Sequence, residues 1–243
     1  MQLFFGDVEN YTLTAALILA YFYASHLYLQ DRRSLLWPST ILAVAMMFHL
    51  LAGFLLPSLL YLFFLEFKKG RLASILISIG VMIVIVGVTL LYFHFNGLPV
   101  RELYYNSHAF GHGGHVDQML AKPDGMYYWE LFSLFFLLMP GTILVLPILL
   151  TGGIKWDSVN IHLGIASSVM LVFMLVWEAK LGIYNDWNLF ANVAIPVMIF
   201  TGRNVVSYLQ ETTSKPLEGR IVLAAWVLMV VHSYVWIVGN HFC

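Results

Sequence analysis

An all-α bundle of transmembrane helices is the fold this sequence predicts, and three observations carry that expectation. Hydrophobic residues make up 60% of the 243, aromatic residues 16% and charged residues only 10%, and the mean hydropathy is +0.83. A water-soluble domain has no interior large enough for so much apolar surface, whereas a bilayer accepts it as lipid-facing side chains. Apolar runs recur at lengths near the roughly 20 residues that cross a hydrocarbon core. Finally, the basic residues are concentrated in a few of the connecting loops. The chain therefore reads as one polytopic membrane domain, 1–243, with lipid and other membrane subunits as its expected surroundings. A formal net charge of -1 argues against nucleic acid as a partner. The single cysteine, Cys243, excludes an internal disulfide. "MQLFFGDVENY" has no basic leader region and no convincing cleavage site, so no removable signal peptide is expected.

Taken in order, the apolar runs predict helices near 11–30, 72–95, 127–150, 158–178, 188–202 and 220–240. The run 35–67, "LLWPSTILAVAMMFHLLAGFLLPSLLYLFFLEF", is too long for one crossing, because a single helix of that length extends about 50 Å against a hydrocarbon core of about 30 Å. Gly53 and Pro57 offer a break, glycine by relaxing φ and proline by removing a backbone donor. If the run is a short broken hairpin, the loops 31–34, 68–71, 151–157 and 203–219 share one face. That face then carries Arg32, Arg33, Lys68, Lys69, Arg71, Lys155, Arg203, Lys215 and, at its boundary, Arg220, nine of the 12 Lys and Arg residues. Such a face is cytoplasmic by the positive-inside rule. The expectation is about eight crossings with both termini outside.

Acid-bearing segments then meet on the outer face: the N-terminal "GDVENY", the loop 96–126, and "YNDW" at 184–187. Acids in outer loops can simply solvate helix ends. At 185–188 they also suit a turn capping the 188–202 helix, since Asp and Asn accept bonds from the free N–H groups of a first turn. The loop holds His108, His112, His115 and Asp117, ligand types suited to Zn. Its glycines at 111, 113 and 114 leave the geometry unfixed and no second cluster completes a known pattern, so a headgroup-contacting loop rather than a tight metal site is expected. Within the spans, His26, His49, His162 and His232 are expected to make interhelical hydrogen bonds, as are Asn160, Ser167 and Ser168, because an unpaired polar group in hydrocarbon is costly. Haem ligation by facing histidines is the alternative for the four, but no pair has the spacing of a cofactor box. Trp37, Trp129, Trp156, Trp187 and Trp236 fit an interfacial belt, and Glu130 and Glu178 fall at outer helix ends.

Five stretches together carry a resemblance. "FFGDVENYTLTAALILAYFY", "MMFHLLAGFLLPSLLYL", "YYWELFSLFFLLMPG", "YNDWNLFANVAIP" and "VVHSYVWIVGN" stand in the order of similar segments in GT-C-type membrane glycosyltransferases of the protein O-mannosyltransferase-like, polyprenyl-phosphate-sugar-using kind. The resemblance implies an outer-leaflet cavity lined by Glu9, Glu130 and Asp186, with Asp186 and Trp187 positioning donor or acceptor hydroxyls of a lipid-linked sugar. Two positions depart from the pattern: Asn188 replaces the second Asp of an Asp-Trp-Asp segment, and Leu134 stands where Asn is common. The membrane module that carries the family's catalytic acids has no counterpart before "MQLFFG", nor is the soluble C-terminal extension present. The chain thus looks like the rear half of such an enzyme. It is expected to be non-catalytic alone and to act as a scaffold or accessory subunit of a larger membrane complex. The alternative is one half of a split glycosyltransferase whose partner chain supplies the base. No resident cofactor is expected, and the ligand is a lipid-linked sugar or a bound lipid.

Overall fold

The computed structural model describes residues 11–96, 125–139, 141–142, 148, 153–176 and 187–212, with 227 and 231. Among these residues the structure is helical, without strands: α1 (Tyr11–Leu29), α2 (Leu36–Phe48), a 3-10 turn (Leu50–Leu55), α3 (Leu56–Lys68), α4 (Leu72–Phe95), α5 (Gly125–Leu138), α6 (Ser158–Val176) and α7 (Trp187–Thr212). Five spans within them are long and apolar enough to cross a membrane: Tyr11–Leu29, Leu50–Lys68, Leu72–Phe95, Ser158–Val176 and Phe190–Tyr208. The helices Leu36–Phe48 and Tyr128–Leu138 are apolar but shorter. The span expected at 220–240 lies outside the described residues, apart from 227 and 231.

The 35–67 run folds back on itself. Tyr21 Oη lies 2.7 Å from Ser58 Oγ, and Tyr28 Oη lies 2.8 Å from Glu66 Oε2. Both pairs are separated by nearly the same stretch of sequence, so α1 and α3 run parallel. The chain between them must therefore reverse twice. It does so after α1 and again at His49, whose ring sits 5.0 Å from that of Tyr11 at the start of α1. The expected hairpin is present, but its break is at His49 and not at Gly53–Pro57. His49 is extended, with φ -156° and ψ 126°, and its Nδ1 accepts from the Leu51 backbone N–H at 3.1 Å. The imidazole thus caps the following turn and replaces an acceptor lost where α2 ends. Pro57 sits in the first turn of α3, where a missing backbone donor has no cost. Gly53 lies inside the 3-10 turn.

Two sharp helix ends meet beyond this hairpin. At the end of α1, Asp31 takes φ 55°, its N–H bonds the Tyr28 carbonyl at 2.9 Å and the Arg32 N–H bonds the Leu27 carbonyl at 2.9 Å. At the end of α3, Gly70 takes φ 71°, its N–H bonds the Phe67 carbonyl at 2.9 Å and the Arg71 N–H bonds the Glu66 carbonyl at 3.2 Å. Both are Schellman endings, which satisfy carbonyls that a helix terminus leaves open. Lys69 Nζ bonds Asp31 Oδ1 at 2.7 Å and ties one ending to the other.

The core lies where α1, α2, the 3-10 turn, α3, α6 and α7 converge, with Tyr21, Leu42, Leu55, Leu59, Leu62, Met170 and Phe190 fully or almost fully buried. Small residues let α1 and α2 approach closely: Ala24 and Ser25 on one, Ser39, Ala43 and Ala45 on the other, all buried. α6 runs antiparallel to α3, since Phe54 meets Phe173 while Ser58 meets His162. α7 runs antiparallel to α6, with Asn204 against Asn160 and Phe200 against Gly164.

Two expected boundaries move. α7 begins at Trp187 and continues to Thr212, ten residues past the expected 202, so Trp187 and Asn188 belong to the helix and not to a capping turn before it. α5 stops at Leu138, short of the expected 150 and just ahead of Pro140 in the sequence, as the restriction on residues before proline favours.

Candidate functional site

These helix directions gather Arg32, Arg33, Lys68, Lys69, Arg71, Lys155 and Arg203 at one end of the bundle. Two polar networks are built there. In the first, Glu66 is 2% exposed. Its Oε2 accepts from Tyr28 Oη at 2.8 Å and lies 3.9 Å from Arg71 Nη1. A buried carboxylate needs both a donor and a cation nearby, and α1 and the α3–α4 turn supply one each. Outside the bundle, Lys69 holds the exposed Asp31 carboxyl below the ordinary carboxylate range, mainly through their direct hydrogen bond. Lys69 Nζ also stands 5.3 Å from the Tyr28 ring centroid, and the Arg33 guanidinium stands 5.7 Å from that of Trp37.

The second network joins α6 to α7. Asp157 precedes α6, and its Oδ1 accepts the Asn160 backbone N–H at 2.7 Å in an N-cap. Its Oδ2 accepts from Arg203 Nη2 at 2.6 Å. Arg203 Nε donates to Asn160 Oδ1 at 3.0 Å. Asn160 Nδ2 donates to the Lys155 carbonyl at 2.6 Å and to Asn204 Oδ1 at 3.1 Å, and Asn204 Nδ2 donates to the Phe200 carbonyl at 2.7 Å. Both asparagines are nearly fully buried. Each of their amide groups has found a partner, which is the condition for keeping them there.

A third polar centre joins α1, α3 and α6. Ser58 Oγ donates to the Leu55 carbonyl at 2.7 Å, so Tyr21 Oη must be the donor in its contact with Ser58. His162 Nδ1 lies 3.1 Å from the Ser58 carbonyl oxygen. Phe22 approaches the His162 ring edge-on at 5.8 Å. The interhelical bonds expected of His162 and Asn160 are thus made. His26 and His49 bond locally instead, to Gln30 and to the Leu51 N–H. Ser167 is buried, and its hydroxyl has no partner among the described residues, while Ser168 is exposed on the cleft wall. His232 lies outside the described residues.

Of the expected outer-face residues, Glu130 is half-buried in α5 and Trp187 opens α7. Glu9, Asp186, Glu178 and the loop residues His108, His112, His115 and Asp117 lie outside the described residues, and among the described ones no group of three or more potential metal ligands occurs. A mostly apolar cleft of about 760 Å³ opens between α5, α6 and α7, with Phe135, Gly164, Ser167, Val197 and Phe200 among its walls. Glu66, Arg203 and Asn204 escaped the sequence reading as partners. A lone acid in "LFFLEF" and an Arg-Asn pair in "TGRNVV" were the available signals. Comparison with protein-family models, curated proteins and solved structures finds no match to this chain.

Proposed function

We propose that this chain is a multi-pass membrane subunit, non-catalytic by itself, that serves as a scaffold or accessory component of a larger membrane complex. In this reading the chain makes about eight crossings, the basic end is cytoplasmic and both termini are outside. The supporting observation is α4. Its 24 residues extend about 36 Å, and only Ile75 and Ser78 along it are buried. It packs on α2 and α3 along one side. Leu76, Ile77, Ile83, Val84, Val88 and Leu91 are among the apolar side chains it leaves exposed. Gly80 and Gly87, two turns apart and so on one face, meet nothing within 4 Å of a Cβ built on them. A helix of this kind can be lined by lipid, but the open glycines also permit a partner helix to approach backbone to backbone. The polar groups of α1, α3, α6 and α7, in turn, are largely spent on holding helices together. Purification of the native complex tests this. The chain is expected to carry other membrane proteins with it, and Gly80→Leu with Gly87→Leu is expected to release them without lowering the yield of the chain. Recovery of the chain alone under mild solubilisation refutes the proposal.

A second reading, one half of a split glycosyltransferase using a polyprenyl-phosphate sugar, has one observation in its favour. α1 and α7 are adjacent and parallel, and both begin at the end opposite the basic loops. The first described turns of α1 and α7, which follow Glu9 and Asp186 in the sequence, thus lie at one end of the bundle, where the resemblance to GT-C enzymes would put a cavity. Turnover of such a donor by the isolated chain overturns the non-catalytic proposal. Turnover only with a co-purified chain supports the split enzyme.

A further inference from the structure

Lys68 and Arg33 fold back along apolar helix faces instead of extending past the helix ends. Lys68 is the last residue of α3, and helical side chains lean toward the N-terminus of their helix. Its ammonium accordingly stands one turn back, 4.5 Å from the Phe64 ring centroid. Phe64 shares the outer face of α3 with Leu60 and Phe67, and all three are exposed. At the start of α2, the Arg33 guanidinium likewise reaches to 5.7 Å from the ring centroid of the exposed Trp37. A cation that only avoided hydrocarbon would extend the other way, into water.

Both cations belong to one corner of the bundle. The Lys69–Asp31 bond of 2.7 Å holds the α1–α2 turn against the α3–α4 turn. The two turns carry Arg32, Arg33, Lys68, Lys69 and Arg71 against the carboxylates of Asp31 and Glu66 alone. Asp31 answers Lys69, and Glu66 lies beside Arg71. Arg32, Arg33 and Lys68, all exposed, form no ion pair among the described residues. Exposed aromatic rings at the ends of membrane helices mark the interfacial layer, the depth of the lipid headgroups. Like charges gathered at that depth repel unless an anion stands among them, and the anion present there is lipid phosphate. We propose that this corner is a docking surface for anionic phospholipids, whose phosphate oxygens accept from Arg32, Arg33 and Lys68 while their chains lie against Trp37 and Phe64. It rests on the chain crossing a bilayer and is independent of the scaffold reading, since it uses none of the open face of α4.

The test is native mass spectrometry of the whole chain released from neutral detergent, with phosphatidylglycerol and phosphatidylcholine of identical acyl chains as probes. Phosphatidylglycerol is expected to bind at least about tenfold tighter, because each basic residue at a membrane surface contributes about fivefold. Lys68→Gln should weaken phosphatidylglycerol about fivefold and leave phosphatidylcholine unchanged. Arg32→Gln with Arg33→Gln should weaken it further still. Lys155→Gln removes one charge from the same end of the bundle but outside the corner, and should change little. Equal losses in Lys68→Gln and Lys155→Gln would reduce the preference to diffuse charge and overturn the proposal. A second measurement needs no altered residue at the corner. Reductive methylation with carbon-13 keeps lysines charged, and the Lys68 methyl resonance is identified as the one missing in Lys68→Arg. It should shift on adding phosphatidylglycerol but not phosphatidylcholine. Equal affinity for the two lipids, a Lys68 resonance that ignores phosphatidylglycerol, or the same shift from inorganic phosphate each overturns the assignment.

Discussion

Tyr28 donates to a carboxylate that has almost no access to water. Removing the hydroxyl in Tyr28→Phe leaves Glu66 short of its nearest donor, with only the more distant Arg71 beside it. The expected cost is about 2 kcal/mol, read as a lower unfolding midpoint in a denaturant or thermal series. Asp31 offers a contrast, because it is exposed and its partner Lys69 is half-exposed. Its carboxyl is held below the ordinary range in the folded chain, chiefly by the Lys69 hydrogen bond. A group whose folded value is depressed binds its proton less readily when folded. Whatever stability it adds is therefore present above the ordinary carboxylate value and fades as pH falls through the lowered one. Carbon NMR of the Asp31 carboxyl should show the depressed midpoint, and Lys69→Gln should move it back up. A midpoint unchanged by that substitution removes Lys69 as the cause.

Helix ends, more than helix interiors, set the path of the chain. Gly70 turns α3 into α4 with φ 71°, and nothing lies within 4 Å of a Cβ placed there. Gly70→Ala therefore meets no clash, and its cost is the left-handed backbone alone, about 1 kcal/mol. A thermal-shift measurement should show that small loss, and a much larger one would mean that the turn contributes packing as well. At His49 the opposite holds. A residue with no special backbone freedom ends a helix because its ring replaces a lost acceptor. Glycine and proline mark the places where a chain can bend without penalty. A histidine that bends it through a side-chain bond leaves no comparable mark, which is why the break was expected near Gly53–Pro57. In α7, Pro196 lies within the helix, and the chain stays helical on both sides of it up to Thr212.

For the whole molecule, the parallel course of α1 and α3 puts the Asp31, Lys69 and Arg203 ends of the bundle together and the Asn96 end of α4 opposite them. On the proposed orientation, with the basic end cytoplasmic, a thiol at Asn96→Cys should react with a membrane-impermeant maleimide from outside. One at Lys68→Cys should react only after permeabilisation, with Cys243→Ser in both. Labelling of both positions from the same side would remove the proposed orientation.

Composition and run length, by themselves, determined that the described residues form helices, five of them fit for a bilayer. Solvent transfer depends on amount and spacing of apolar surface, and both are written along the chain. The charge pattern determined more: that the 35–67 run must reverse for the basic loops to share an end, as the described loops do. What only the tertiary structure decided is which polar residues meet. Glu66 with Tyr28, Asn160 with Asn204 and Arg203, and His162 with Ser58 are separated by 38, 44, 43 and 104 residues. No local propensity connects positions so far apart. Their pairing follows from the direction of each helix and the register at which it packs, and a buried polar group takes its partner from whatever that register brings within reach.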